Sequence, residues 1–139
     1  MSRRRAAGLL LAALLVAGGC VNYPKVIDIG GIRLQPTNGK AVRDGAGALF
    51  YVDIRSIGMF GDVLVRVETE VARSARLVDA AGAPLARLTV PGNTEVRLAP
   101  GGRRVVLSDL TRELKQGEVV IVTLVFEKSG AIGVISPVE

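Results

Sequence analysis

The chain has 139 residues, with 18 basic and 13 acidic side chains. Three of the basic residues, Arg3 to Arg5, lie at the very start, so the remainder of the chain is nearly neutral. It therefore lacks the excess of basic residues that is typical of nucleic-acid-binding proteins. The chain contains no histidine and a single cysteine, which excludes Ser-His-Asp or Cys-His catalysis and an internal disulfide framework. We therefore expect a protein that is not an enzyme.

The first nineteen residues have the three parts of a lipoprotein signal peptide. Arg3 to Arg5 form a positive region, Ala6 to Val16 an apolar region, and Ala17-Gly18-Gly19 a run of small residues. The uncharged stretch 6–19 has 14 residues, fewer than the ~20 that cross a bilayer as a helix. This segment is therefore predicted to be a processed export signal.

Cys20 follows the small residues directly and is predicted to carry lipid. Its surroundings resemble a lipobox, in which the cysteine thiol is converted to a diacylglyceryl thioether and further fatty acyl chains such as palmitate are added. The alternative is an ordinary signal-peptidase cut that leaves a free thiol. With lipid on Cys20, residues 20–25 are a short tether, and the domain lies on the extracytoplasmic face of the cell membrane.

Residues 26–139 are predicted to form one domain, and its first half contains two clear strands. Val26–Ile29 is a short apolar run, and Gln35–Gly47 has loop composition, with two Asx residues, one proline and several glycines. Ala48–Arg55 alternates apolar and polar residues as a half-buried strand does, and Val63–Thr69 is the next strand.

The second half continues as short strands separated by turns. The sequence predicts strands at Arg76–Val78, Leu85–Val90, Thr94–Leu98, Arg103–Leu107, Val119–Phe126 and Ala131–Val138. Val119–Phe126 is apolar on both faces, which predicts a central strand with Phe126 in the core, and only Thr111–Gln116 is compatible with a helical turn. Seven or more short strands predict an all-β fold, an antiparallel β-sandwich.

Few polar groups suggest a site. Glu68 with Glu70, or Asp109 near Glu113, offers a carboxylate pair for acid–base chemistry or a calcium site, the alternative being a solvated sheet face. The pair Arg103-Arg104 beside a glycine turn is a candidate contact for an anionic group or a partner, the alternative being solvated charge.

The segment from Ala48 to Val138 contains several short motifs, most of them in its C-terminal third. These motifs are Val96 to Gly102, Arg103 to Leu110, Leu114 to Glu118 and Leu124 to Gly130, with Asp62 and Leu64 upstream. With these motifs the segment resembles the periplasmic copper chaperone family called PCu(A)C, in which Asp62 and Leu64 match part of an upstream pattern. The resemblance implies a cupredoxin-like or immunoglobulin-like β-sandwich.

The resemblance also implies a copper(I) site of two histidines and two methionines, and none of these donors is present. The family's ligand positions fall on Val78, Gly82, Arg104 and Val106, and the loop around Gly82 is several residues shorter than in the family. Imidazole and thioether donors suit copper(I), whereas these four side chains offer none. We therefore expect no metal and no cofactor.

Two functions remain open after these exclusions. The first is a non-catalytic binding module, tethered to the membrane by Cys20, that recognises an envelope protein or a cell-wall component. The second is an accessory role in copper delivery or homeostasis together with a metal-binding partner.

Overall fold

The structure is a computed structural model that describes residues 31–139, and these residues form nine β-strands and no helix. The strands are β1 (Leu34–Asp44), β2 (Gly47–Ser56), β3 (Asp62–Thr69), β4 (Ala72–Val78), β5 (Leu88–Val90), β6 (Glu95–Leu98), β7 (Arg104–Leu110), β8 (Val119–Phe126) and β9 (Gly130–Pro137). This confirms the predicted all-β fold.

The strands form two antiparallel sheets packed face to face. One sheet has the order β1-β2-β7-β4, and β6 also pairs with β2. Phe50 of β2 pairs with Val105 of β7, and Val52 of β2 pairs with Leu98 of β6. The strands β7 and β6 therefore pair with successive segments of β2. The other sheet has the order β5-β3-β8-β9. The architecture is the predicted antiparallel sandwich.

The core lies between the sheets and is built mainly from aliphatic side chains. Phe50, Val52 and Ile54, on the predicted inner face of β2, are fully buried. The other sheet contributes buried Leu64 and Phe126 to the same cluster. Burial of one such large apolar side chain stabilises the fold by roughly 1.5–3 kcal/mol. The predicted alternation of β2 and the core position of Phe126 are thus confirmed.

The prediction of a loop at Gln35–Gly47 is wrong, since most of this segment belongs to β1. The strand lies at the edge of its sheet in the pairing order, where proline and polar residues are tolerated. Its pairing with β2 shifts register between Thr37 and Lys40, and Asn38 in this interval has a φ of 55°. The turn-forming residues therefore form an irregularity within a strand rather than a loop.

The strand β8 is apolar on both faces, as predicted, but only one of the two faces is buried. β8 does lie between β3 and β9, as a central strand should, and Val120, Val122 and Leu124 are buried. On its outer face, however, Val119 is 58% exposed and Ile121 is 61% exposed. A two-layer sandwich covers only one face of each sheet, which leaves Val119 and Ile121 on the other face exposed.

Two further predictions have different outcomes. The segment Thr111–Gln116 contains bends and irregular backbone rather than a helical turn. Leu114 within it is fully buried, so packing against the core rather than helix propensity decides its conformation. Val26–Ile29 lies outside the described residues.

Candidate functional site

The four positions that the family resemblance assigns to copper ligands lie close together at one end of β4 and β7. Val78, the last residue of β4, pairs with Arg104, the first residue of β7. Val106 follows two residues later and therefore lies on the same face of the sheet as Arg104. A Cβ atom on Gly82 would lie 3.7 Å from Nη2 of Arg104. Sequence reasoning alone did not establish this proximity.

The turn that carries Gly82 is held by its own backbone and by one carboxylate. The backbone N–H of Asp79 donates to the carbonyl of Ala83 at 2.9 Å, and that of Gly82 donates to the carbonyl of Asp79 at 3.0 Å. Oδ1 of Asp79 accepts from the N–H groups of Ala81 and Ala83 at 2.9 and 2.8 Å. Gly82 has a φ of 85°, a conformation that favours glycine, so the short turn itself selects this residue.

The guanidinium group of Arg104 lies between this turn and the preceding Pro-Gly-Gly turn. Its Nη1 donates to the carbonyl oxygen of Asp79 at 3.3 Å and to that of Gly102 at 3.2 Å. The side chain is half-buried. Arg104 therefore links the two turns and places a positive charge beside Val78 and Gly82.

The groups available at this place are the Arg104 cation, backbone carbonyls and the carboxylate of Asp79, whose Oδ1 is bound to its own turn. Val78 is buried and Val106 half-buried, and neither has a donor atom. Within residues 31–139, no group of three or more His, Cys, Asp or Glu side chains is arranged to hold a metal ion. Arg103 is exposed at the neighbouring turn, whereas Arg104 is bound to two carbonyls, so the two arginines differ in what they present to a partner.

Both carboxylate pairs suggested by the sequence are exposed, and one member of each pair forms an ion pair with an arginine. Glu68 is exposed on β3, and its Oε1 accepts from Nε of Arg66 at 2.6 Å. Glu70 follows the end of that strand and lies in the turn to β4. Exposed ion pairs of this kind contribute little to stability.

The second candidate pair is also on the surface. Asp109 is exposed and accepts from Nη1 of Arg73 at 3.3 Å. Glu113 is exposed beyond the end of β7. Both sets of carboxylates therefore fit the alternative that the sequence left open, a solvated surface.

The buried carboxylate of the described chain belongs to Asp62, which is 3% exposed. Its Oδ1 accepts from the N–H groups of Val63 and Lys128 at 2.8 and 3.0 Å. Its Oδ2 accepts from the N–H and the hydroxyl group of Ser129 at 2.7 and 2.6 Å. Burial opposes ionisation, but the hydrogen bond from the Ser129 hydroxyl and those from the three N–H groups outweigh it and hold the pKa of Asp62 below its ordinary value.

Asp62 is thus a structural carboxylate that ties the start of β3 to the turn between β8 and β9. The sequence showed it only as part of the family pattern. Its function depends on donors 66 and 67 residues away, which no local signal reveals.

Two open grooves, of about 760 and 620 Å³, lie away from the four ligand positions. Arg112 lines both, and it is bound by Glu118, whose two carboxylate oxygens accept from its Nη1 at 2.8 and 2.9 Å. The hydrogen bond from Arg112, followed by one from the N–H of Lys115, holds the pKa of Glu118 below its ordinary value. This arrangement is an ion pair that fixes a loop.

The predicted lipid attachment site, Cys20, lies outside the described residues. Between residues 31 and 139, the structure has no helix long and apolar enough to cross a membrane.

Solved structures with the same architecture define the class of protein. The chain is similar to the "Apo PCuAC domain from PmoF1", with 33% identity, coverage of 81% of this chain and 96% of that domain, and a TM-score of 0.67. It is also similar to the "Copper-bound PCuAC domain from PmoF2", with 25% identity, coverage of 78% and 95%, and a TM-score of 0.70. A copper(I)-bound protein of Deinococcus radiodurans, DR1885, shares the fold at 24% identity, coverage of 73% and 74%, and a TM-score of 0.64. The protein is therefore a PCuAC-like β-sandwich.

Within this class the family is also defined. Residues 27–138 match the family model described as "Putative lipoprotein LpqE-like", and the chain belongs to the LpqE-like family. That description denotes a lipoprotein, which is a membrane-associated class of protein. No curated protein matches the sequence. Neither similarity is to an enzyme family.

Proposed function

We propose that this protein is a non-catalytic binding module of the cell envelope, anchored on the extracytoplasmic face of the membrane by lipid on Cys20. Its PCuAC-like domain has lost the metal site and recognises an envelope protein or a cell-wall component. Membership of the LpqE-like family supports the lipid anchor, and the fold supports a binding role.

The observation that carries the proposal is the position of Arg104. Its guanidinium lies among the positions assigned to copper ligands and is held there by the carbonyls of Asp79 and Gly102. A fixed positive charge repels a cation at close range, and the surrounding valines supply no soft donor. From Val21 onward the chain has Met59 as its one soft donor, and Met59 is exposed in the loop between β2 and β3.

The proposal predicts that the domain expressed from Val21 does not compete for copper(I). A chromogenic chelator of moderate affinity, titrated with the domain under reducing conditions, should keep its copper(I) spectrum unchanged. Removal of copper from the chelator by an equimolar amount of the domain would contradict the loss of the metal site.

A matched variant tests whether these four positions are the right ones. Val78→His, Arg104→His and Val106→Met restore three donors on positions that already adjoin. Gly82→Met at the present φ of 85° is strained, so the fourth donor requires the turn to be lengthened as well. This refilled variant should bind copper(I), whereas the same longer turn combined with Arg104→Ala and no new donors should not. If the refilled variant folds and stays metal-free, the assignment of the four positions is wrong.

A second candidate function, an accessory role in copper delivery, is favoured by the 33% identity to a PCuAC domain. Here the metal is held by a partner and this chain assists its transfer. Crosslinking in intact membranes, followed by copper analysis of the captured complex, separates the two functions. Copper in stoichiometric amount in that complex supports the accessory role, and a metal-free complex supports the first proposal.

A further inference from the structure

The loop between β2 and β3 exposes three large apolar side chains, which we call the apolar tip. Ile57, Met59 and Phe60 are 40%, 62% and 60% exposed. Exposure of apolar side chains to water is unfavourable, so a cluster of them on the surface commonly marks a contact with another molecule.

The backbone of the apolar tip is held by hydrogen bonds to two neighbouring segments. The N–H of Ile57 donates to the carbonyl of Arg33 at 3.0 Å, and the N–H of Asn93 donates to the carbonyl of Gly58 at 3.0 Å. A Cβ on Gly58 would collide with the carbonyl oxygen of Gly31. The loop is therefore packed between residues 31–33, where the described chain begins, and the turn between β5 and β6.

The described chain enters the domain at this same tip. Ile32 forms a parallel β-bridge with Phe60. Only the ten residues 21–30 separate Cys20 from Gly31, and ten residues reach at most ~36 Å even when fully extended. An anchor at Cys20 therefore holds the point where the chain enters the domain, and with it the tip, within about 36 Å of the bilayer. This step depends on the proposed lipid anchor.

The charge around the tip also suits a lipid surface. The three segments that meet there, residues 31–35, 55–61 and 91–94, contain Arg33 and Arg55 and no acidic side chain. Asp62, the next residue, is buried and engaged in hydrogen bonds. Glu95, which follows the last segment, accepts from Nε of Arg97 at 3.2 Å. The exposed guanidinium of Arg55 beside the apolar tip suits the phosphate groups that lie above the acyl chains of a membrane.

We propose that the apolar tip is a second membrane contact, with Met59 and Phe60 seated at the boundary between headgroups and acyl chains. A covalent anchor at one point leaves the orientation of the domain open. A second contact fixes it, and stable membrane attachment commonly combines two such signals.

A single-tryptophan experiment tests this contact, because the chain contains no tryptophan. The full chain with Phe60→Trp is produced as the lipoprotein and reconstituted in vesicles of phosphatidylglycerol and brominated phosphatidylcholine. The matched control is Ile135→Trp, because Ile135 is an apolar residue 73% exposed on β9. A second probe, Met59→Trp, covers the case in which Phe60→Trp disturbs folding.

The expected result is a blue-shifted emission for the tip probes and quenching by at least about twofold, because a ring ~5–10 Å deep in the interface lies beside the bromine atoms. The Ile135→Trp probe should show neither effect. Equal quenching of tip and control probes, or unquenched tip probes in a properly acylated protein, would overturn the proposed membrane contact of the tip. The lipid anchor would be unaffected by that result. A chain that lacks lipid on Cys20 and does not float with the vesicles would overturn the anchor, and the inference with it.

Discussion

The carboxylate of Asp62 connects the β2–β3 loop to the β8–β9 turn. It accepts four hydrogen bonds, two of them from Ser129. Hydrogen bonds to a buried charged group contribute more than those between neutral groups. This one residue therefore fixes the base of the apolar tip, which begins five residues earlier at Ile57.

Asp62→Asn is expected to lower the free energy of unfolding by about 2–3 kcal/mol at pH 7, because an amide group faces N–H donors where the carboxylate accepted them. The folded-state pKa of Asp62 is lowered, so its contribution is complete above the ordinary value of 3.8 and is lost as the pH falls through the folded-state pKa. The difference in the free energy of unfolding between the unsubstituted protein and Asp62→Asn should therefore become smaller below pH 3.8. Urea unfolding at several pH values measures it.

The control for this substitution is Asp44→Asn, at an exposed carboxylate at the end of β1. It should change the free energy of unfolding by less than about 0.5 kcal/mol. Equal losses at the two positions would mean that the hydrogen bonds to Asp62 do not stabilise the fold.

At the scale of elements, β8 shows how one strand has two different faces. Phe126 is 2% exposed, and Val122 and Leu124 on the same face are fully buried. Ile121 on the opposite face is 61% exposed and pairs with Ile135 of β9, which is 73% exposed. The apolar composition of the outer face is therefore not explained by the core.

Phe126→Ala should lower the free energy of unfolding by ~3–5 kcal/mol, because it removes a ring from the closed core and leaves a cavity. Ile121→Ala in the same strand is the matched control and should cost about 1 kcal/mol or less, since that side chain loses only surface contacts and strand propensity. Chemical denaturation measures both. Similar costs for the two substitutions would show that the assignment of the two faces is wrong.

At the scale of the whole molecule, the proposed lipid anchor and the short segment after it determine where the domain works. Mass spectrometry of the native protein should find an N-terminus at Cys20 with a diacylglyceryl group and a further acyl chain. Cys20→Ala should leave the chain unprocessed or release it from the membrane, because no attachment point remains. An unmodified thiol at Cys20 in the native protein would contradict the anchor.

Much of the fold was predictable because strand alternation is a local property. The spacing of Phe50, Val52 and Ile54 predicted a buried face, and the structure confirms it. The edge strand β1 was not predictable in this way, since its proline and Asx residues resemble a loop and only pairing with β2 makes the segment a strand. The central position of β8 was predictable from its apolar composition, whereas the exposure of its outer face was not, because composition does not reveal how many layers a fold has.

The candidate site shows the same division between sequence and tertiary structure. The sequence by itself determined which metal ligands are available. A chain with no histidine and one cysteine lacks imidazole ligands and has a single thiol in whatever fold it adopts. Only the tertiary structure decided that Val78, Gly82 and Arg104 adjoin, and that Arg104 bonds the carbonyls of Asp79 and Gly102. The contacts of Arg104 with Val78, Asp79 and Gly82 join residues more than twenty positions apart, and strand pairing and packing set them rather than any local pattern.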